Sequence, residues 1–366
     1  MASESLLRRL LRRPSVVASL LIIAGTALIA VFAYVLAPDA TPNAARSIVE
    51  LGAKPPGFTI RLLPVPRTVV PEPKSWLSRL FTGTPDRFQY VPVNGYFLEG
   101  NTLAARHYID DGLEDTLRFP LATLVPEAGS PPAPAYLQQT IRKHTFYLGT
   151  DRYGRDILSR LLVGARVSMA VGMIAVILSL SIGLVLGLLA GYYRGLTDSA
   201  VMFVINILWA IPTLLLVFAL TLALGKGFWQ IFIAIGLTLW VSAARLIRGQ
   251  VLVLRELDYV QAARALGLSD FRILTRHILP NIAGPVLVLA ASNFATAILL
   301  EAGLSFLGLG LQPPAPSWGS MIKDHYNFLV TNRPFLALIP GLAILLLVYA
   351  LNILGNALRD ALDVKR

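Results

Sequence analysis

The sequence predicts an all-α polytopic membrane protein with six transmembrane helices, and three observations carry that expectation. Hydrophobic residues make up 55% of the 366-residue chain and charged residues only 14%, with a mean hydropathy of +0.65, outside the range of soluble globular domains. Apolar runs long enough to cross about 30 Å of hydrocarbon lie at 16–37, 167–190, 200–224, 228–247, 282–309 and 335–356. The net charge of +11 is unevenly placed. With a cytoplasmic N-terminus, the short inside segments hold Arg8, Arg9, Arg12, Arg13, Arg194, Arg245, Arg248, Arg255, Arg264, Arg272, Arg276, Arg359, Lys365 and Arg366, and the short outside ones only Lys226, Lys323 and Arg333. This positive-inside asymmetry puts both termini in the cytoplasm. It also accounts for the positive charge through the lipid bilayer, so no nucleic-acid partner is needed.

Residues 1–15 read as a cytoplasmic amphipathic N-terminus. Leu6, Leu7, Leu10 and Leu11 fall on one helical face and Arg8, Arg9, Arg12 and Arg13 on the other, the pattern of a helix lying on anionic lipid. A secretory signal peptide is the competing reading of the first run. Val16 to Ala37 outruns the roughly 7–15-residue apolar core of such a peptide, so an uncleaved first transmembrane helix is expected over 16–37. Residues 38–147 follow as a long extracytoplasmic segment, either a Pro-rich loop or a small domain. Its prolines, in PPGF at 55–58, PVP at 64–66, PEP at 71–73 and PPAP at 131–134, exclude long helices and favour loops, turns and short strands. The portion from Phe88 to Val125, mixed and aromatic, is the part able to form a small folded element, with polar linker as the alternative.

Residues 148–366 read as a five-helix core. Its approach to the membrane, LGTDRYGRDILSRLLVGAR at 148–166, offers Thr150 and Asp151 as helix N-caps and Gly149 and Gly154 for tight turns. Arg155 and Asp156 belong to an Arg–Asp alternation suited to pairing along a surface helix. In the second span Gly183, Gly187 and Gly191 line one stripe that lets another helix approach closely. The third holds Asn206, Trp209 and Pro212 within about two turns, so it is expected to face protein or water there. Asn293, Thr296 and Glu301 are the polar insertions of the fifth. Asn206, Trp209, Asn293 and Glu301 are therefore candidates for a transport pathway or for packing. Glu301, an intramembrane carboxylate, is a functional candidate by default, but it lies roughly 28 Å from the cytoplasmic end at about 1.5 Å per residue, near the outer interface, where a structural role is equally expected.

Between the fourth and fifth spans, a polar loop at about 248–280 contains DYVQAARALGLSDFRILTRHILP from Asp258 to Pro280. Tyr259, Ala262, Ala263 and Leu266 recur at helical spacing and give a narrow apolar face, with Gln261 and Arg264 off it. Gly267 is placed for a left-handed C-cap, Ser269 or Asp270 can cap a second short helix, and Pro280 is expected to end that helix. The result is an elbow, short enough that packing must hold it, with small side chains suited to a groove.

This loop resembles the one by which the membrane subunit of an ABC importer grips its ATPase, read as E-A-A, three residues, Gly, nine residues, then I-x-L-P. Gln261, Ala262, Ala263, Gly267, Leu279 and Pro280 fall at those positions. Gln261 stands for the Glu and His277 for an apolar residue. The 148–166 segment and EAGLSFLGLGLQPPAPSWGSMI from Glu301 resemble two further stretches of the dipeptide/oligopeptide/nickel (Dpp/Opp) family of permeases, close to its C-type membrane subunit. The resemblance covers the chain from about 148 onward; the first 145 residues match less specifically, and the loop after the first helix is longer than the family implies. It implies a type I, MetI-like permease core in the bacterial inner membrane with a cytoplasmic coupling-helix loop. The partners it implies are a second related permease, two cytoplasmic ABC ATPases and an extracytoplasmic substrate-binding protein. Peptides are the expected cargo, with nickel, glutathione or another small solute as alternatives. Asp258, Tyr259, Gln261, Ala262, Ala263, Arg264, Leu266, Gly267, Leu279 and Pro280 would form the ATPase-coupling site.

Enzymatic roles find little support. There is no G-x-x-x-x-G-K-[ST] loop, only Gly225-Lys226-Gly227 in an outside turn, so ATP and Mg belong to partner subunits and no cofactor is expected on this chain. Gly303 to Gly308 has the wrong spacing for a nucleophile elbow. There is no cysteine, and the four histidines, 107, 144, 277 and 325, are scattered, so no metal site is expected. An ion-coupled secondary transporter would have to work through Glu301 alone and without obvious inverted repeats.

Overall fold

A computed structural model describes residues 10–68, 72, 75–124, 137, 140–225, 227–331 and 333–363. Leu6, Leu7, Arg8 and Arg9 of the expected amphipathic N-terminus lie outside the described residues, as do Lys226, the PPAP stretch, Lys365 and Arg366. The first long helix, α1 (Pro14–Leu36), is followed by a five-stranded antiparallel sheet of β1 (Phe58–Pro66), β2 (Phe88–Glu99), β3 (Thr102–Asp110), β4 (Leu113–Pro120) and β5 (Arg142–Phe146), in the order β4-β3-β2-β1-β5. A short helix, α2 (Trp76–Thr82), lies between β1 and β2. The prolines sit inside longer strands than their density suggests, for a local reason. β5 pairs with β1 only from Phe58 to Leu62, so Pro64 and Pro66 fall where β1 becomes an edge, and Pro92 in β2 adjoins a bulge at Val93/Gly95; edges and bulges are where a strand tolerates a missing N–H. The helical expectation therefore holds for the bundle but not for the whole chain, since the segment after α1 is a sheet, and both of its faces are covered. Leu63, Val93, Leu103 and Ala105 pack with Leu124 and Ile141, and Ile60, Leu62, Tyr108 and Phe146 pack under Ile48 and Leu51.

The core continues with α3 (Ile157–Tyr193), α4 (Gly195–Trp209), α5 (Thr213–Leu224), α6 (Phe228–Leu254), α7 (Asp258–Ala265), α8 (Asp270–Phe306), α9 (Trp318–His325) and α10 (Phe335–Asp363). Five of these helices, α1, α3, α6, α8 and α10, are long and apolar enough to cross a membrane, and α4 with α5 makes a sixth only if the pair, bent by 95°, is one span. The apolar run expected to span at 200–224 is thus two helices broken at Pro212 rather than one continuous helix. Pro212 has no N–H for the carbonyl one turn back and disfavours helix at Ile211, and its own backbone is non-helical at φ −53°, ψ 128°. The chain must still return here, since the C-termini of α3 and α6 meet at one end of the bundle, where the Arg255 guanidinium donates to the Tyr192 carbonyl.

The glycine stripe of α3 packs on α6: a Cβ at Gly187 would lie 2.7 Å from the Ala244 carbonyl, and one at Gly191 2.7 Å from Val251. Around this pair, Val171, Val217, Phe232, Ile235, Ala297 and Leu304 form one core, and Ile157, Phe294, Ile298, Trp318 and Leu347 a second that ties α3, α8, α9 and α10 together. Between spans the lipid alternative is as apolar as these side chains, so the two cores are held by close packing rather than by removal of apolar surface from water.

The sheet is joined to the bundle through residues 148–160. Thr150 and Asp151 do not cap a helix. The Thr150 hydroxyl accepts from the Lys54 N–H at 2.8 Å and donates to the Leu51 carbonyl, while the Asp151 carboxylate closes a loop by accepting from the Tyr153 and Arg155 N–H groups at 2.8 and 3.0 Å and from Arg155 Nε at 2.6 Å. Asp156 is the N-cap of α3, accepting from the Ser159 N–H at 2.8 Å. Burial pushes its carboxyl up from the usual carboxylate range, against the Ser159 hydrogen bonds that lower it. The expected Arg–Asp pairing is present between Arg155 and Asp151, but across a tight turn rather than along a surface helix, because Gly149 (φ +79°) and Gly154 (φ +71°) reverse the chain twice before α3 begins.

Candidate functional site

Two sites emerge from this frame. The first is the hairpin between α6 and α8. α7 has an acidic first turn, Asp258, and a basic last one, Arg264, in keeping with the helix dipole. Its C-terminus is a complete Schellman turn. The Gly267 N–H donates to the Arg264 carbonyl at 3.0 Å and the Leu268 N–H to the Ala263 carbonyl at 3.2 Å, with Gly267 at φ +75°. Leu268 packs back on the cluster that contains Ala263.

The apolar stripe of α7 is divided between two surroundings. Val260 and Ala263 are buried against Ile247, Val251, Ile273, Ile278 and Ile282. Tyr259, Ala262 and Leu266 point outward, Leu266 with 80% of its surface exposed, and Phe271 at the start of α8 joins them at 77%. Ala263 thus belongs to the fold of the hairpin and Ala262 to its free face, a distinction that helical spacing alone cannot make. Gln261 donates to the Arg255 carbonyl at 3.1 Å, and Arg264 stacks over the Tyr192 ring at 5.2 Å.

Tyr192, which the sequence reading passed over, is the hub of this end. Its hydroxyl donates to Asp270 at 2.7 Å and its carbonyl accepts from Arg255. A Tyr-Tyr-Arg run closing an apolar span was the available signal. Ser269 occupies the N-cap of α8 without a side-chain cap bond. Pro280 does not end a helix: Leu274–Ile278 forms a π-helical turn, the Leu279 N–H reaches the Leu274 carbonyl, and the helix continues to Phe306. A widened turn ahead of the proline absorbs both its missing donor and its ring.

The second site is a cavity of about 290 Å³ where the α4–α5 bend meets α6 and α8. Trp209 and Asn293 line it together with Thr213, Thr238, Ser242, Ser292 and Thr296. Asn293 is buried and donates to Ser179 at 3.4 Å, and the Thr238 and Thr296 hydroxyls donate to their own helices' Ala234 and Ser292 carbonyls, at 2.9 Å each. The hydroxyl oxygens so held retain acceptor capacity toward the cavity. The Arg245 guanidinium lies 3.8 Å over the Trp209 ring. Thr238 and Ser242, four residues apart on one helical face, were a legible signal that went unread. Asn206 is exposed on α4 and is not among the cavity's lining residues. Neither is Glu301, which is fully buried and accepts from the Ser305 and Ser317 hydroxyls at 2.7 Å each. Among the described residues no group of three or more His, Asp or Glu side chains is placed to hold a metal ion.

Comparison with known proteins places these features in context. Residues 183–366 match the family model for the binding-protein-dependent transport system inner membrane component. The glutathione transport system permease protein GsiD of Pectobacterium atrosepticum is 44% identical over 219 residues, covering 60% of this chain and 72% of that protein. GsiD of Escherichia coli O6:K15:H31 is 45% identical over the same shares. Among solved structures, an inward-facing form of the MetNI methionine ABC transporter aligns with 56% of this chain and 97% of its own at 19% identity and a TM-score of 0.45.

Proposed function

Because this chain belongs to the family of binding-protein-dependent transport system inner membrane components and is a permease subunit of an ABC importer, a multi-pass protein of the bacterial inner membrane, we infer that its cargo is a di- or oligopeptide delivered by an extracytoplasmic binding protein. The observation that carries the choice of cargo is the polar lining of the cavity beside the α4–α5 bend, where Thr238, Ser242, Ser292, Asn293 and Thr296 supply neutral hydroxyl and amide groups matched to the donors and acceptors of peptide bonds. Soft or anionic ligands that would suit nickel are not in that lining. Glutathione, named for the GsiD relatives, is itself a small peptide and falls within the same reading.

In this reading the permease has a type I, MetI-like core at 148–366, with six crossings when α4 and α5 count as one. Residues 1–15, 16–37 and 38–147 are its cytoplasmic N-terminus, first helix and extracytoplasmic domain. Arginine asymmetry supports cytoplasmic termini and a cytoplasmic hairpin, which leaves the sheet outside. Residues 258–267, with Leu279 and Pro280 behind them, form the coupling site. The free face of Tyr259, Ala262 and Leu266 docks in a groove of one of two ATPases, and a second, related permease completes the pathway. ATP binding on those partners moves α7. The buried face of α7 is packed between the end of α6 and the start of α8, two of the helices that line the cavity, so its displacement reaches the cavity walls and alternates their access. The 148–156 segment holds the extracytoplasmic domain on α3.

Uptake of a labelled dipeptide into proteoliposomes is expected to require ATP, the binding protein and a copurified ATPase; proton-driven uptake without any ATPase would refute the reading. Gly267→Val tests the turn. No atom outside the local backbone lies within 4 Å of a Cβ there, so the cost is conformational, about 1–2 kcal/mol for a left-handed residue bearing a branched side chain. Nucleotide-stimulated uptake should fall severalfold at unchanged membrane insertion. Retention of full uptake and ATPase stimulation would show that the geometry of this turn is not needed for coupling.

A further inference from the structure

At the sheet end of the bundle lies a recess of about 330 Å³ between the 152–160 segment and the loop that joins α8 to α9. Its charged lining is uneven: Arg152, Arg155, Arg160 and Lys323 against Asp324, with Asp151 behind the two inner arginines. Asp151 is already engaged, since its carboxylate takes Arg155 Nε at 2.6 Å and two backbone N–H groups, and Arg160 Nε stands off at 3.7 Å. Asp324 meets Arg152 only at 3.9 Å. Glu301 lies beneath Ser305, with one carboxylate oxygen taken by two hydroxyls.

The inner wall is where the chemistry concentrates. Arg160 is 3% exposed, yet Nε and Nη1 have no hydrogen-bond partner among the described residues, and Nη2 of the nearly buried Arg155 has none either. A buried guanidinium N–H without an acceptor costs more than an ordinary unmet hydrogen bond, and the planar fork of arginine is matched to a carboxylate. Leu311 and Pro313 add apolar side chains to the lining beside the Gly308 and Gly310 backbone. The volume lies at the small end of cavities that hold a small molecule, more than the tip of one acidic side chain fills.

We propose that this recess binds the free carboxylate of a small peptide, with Arg160 and Arg155 as its inner contacts and Lys323 at its rim. It is separate from the cavity beside the α4–α5 bend. On the extracytoplasmic side it is a first contact for cargo released by the binding protein, and the carboxyl terminus is the group that it selects. The choice of peptide as probe and the side of the membrane rest on the importer reading above; the charge and the unmet donors do not.

The test is calorimetric titration of the full chain in lipid nanodiscs, with the subunits that copurify with it but without binding protein, using Ala-Ala and its C-terminal amide. Ala-Ala should bind, and the amide at least tenfold more weakly, as expected when a charge-assisted pair is lost. Arg160→Gln should weaken Ala-Ala about tenfold or more. Because Arg160 is buried, Lys323→Ala at the exposed rim is the second variant, expected to weaken binding about threefold without disturbing the fold. Equal affinity for acid and amide would overturn the proposal. So would absence of dipeptide binding together with loss of binding-protein capture in the two variants, which would assign the recess to an acidic side chain of that protein. Neither result depends on uptake, so failure here leaves the importer reading intact, and failed ATP-driven uptake with dipeptide binding retained would leave the recess standing.

Discussion

Ala262→Glu is expected to abolish nucleotide-stimulated transport while the subunit folds and inserts normally, and Ala263→Glu is expected to lose the folded hairpin itself. The two positions are adjacent, both alanine, and both part of one helical stripe, yet Ala263 is 6% exposed inside the cluster of Ile247, Val251 and Ile273, whereas Ala262 is exposed beside Leu266. A carboxylate at 263 would be buried without a partner, at a cost of about 3–5 kcal/mol, and would part α7 from α6 and α8. At 262 the same carboxylate is hydrated in the free subunit and suffers only when an apolar groove closes over it. Loss of about 2 kcal/mol at the centre of such an interface weakens docking roughly thirtyfold. Copurification of the co-expressed ATPase, read beside the thermal midpoint of the permease, separates them: A262E should lose the ATPase at an unchanged midpoint, and A263E should lower the midpoint. Full ATPase recovery with A262E would place the docking face elsewhere on the hairpin.

The division of that stripe shows where sequence reasoning stops. A period of 3.6 puts Tyr259, Ala262, Ala263 and Leu266 on one side of a helix, but Val260 lies on the adjoining flank and widens the apolar surface until it has two sides. Which side meets the protein's own core is decided by Ile273 and Ile278, residues of the next element, and no local pattern carries that information. The same limit applies at both prolines. Pro212 and Pro280 are equally visible in the sequence, and each implies a lost hydrogen bond; one lies in a 95° break and the other in a continuous helix. The difference is that Pro280 falls in the first turn after a π-helical segment that accommodates it, while Ile211 and Pro212 sit exposed at the bend. Spans were legible because hydropathy is a sum over many residues. The sheet was legible only as a tendency, since register depends on pairing partners far along the chain.

The 148–156 segment exposes the same limit in its strongest form, and it supports the largest stability prediction. Gly154→Ala should cost about 3–5 kcal/mol, through a left-handed residue and a forced overlap together, enough to remove most of the monodisperse protein. The Cβ of alanine would be driven into the Ile48 carbonyl, a backbone atom that cannot rotate aside, at a residue with φ +71°. Ile48 and Leu51 are the lid over one face of the sheet, and the Ser47 hydroxyl donates to the Tyr153 carbonyl at 2.6 Å, so a shift of this loop is transmitted both to the sheet and to Asp156 at the start of α3. Gly112→Ala is the control, since that hairpin glycine has φ +84° but no atom near its Cβ. It should cost only the conformational part, about 1–2 kcal/mol. Yield of monodisperse protein and the midpoint of thermal denaturation in detergent measure both. Equal losses for the two variants would mean that the close approach of Gly154 to Ile48 contributes nothing, and that other contacts, such as the Thr150 and Asp151 hydrogen bonds and the Arg333 bond to the Ala53 carbonyl, hold the sheet on the bundle.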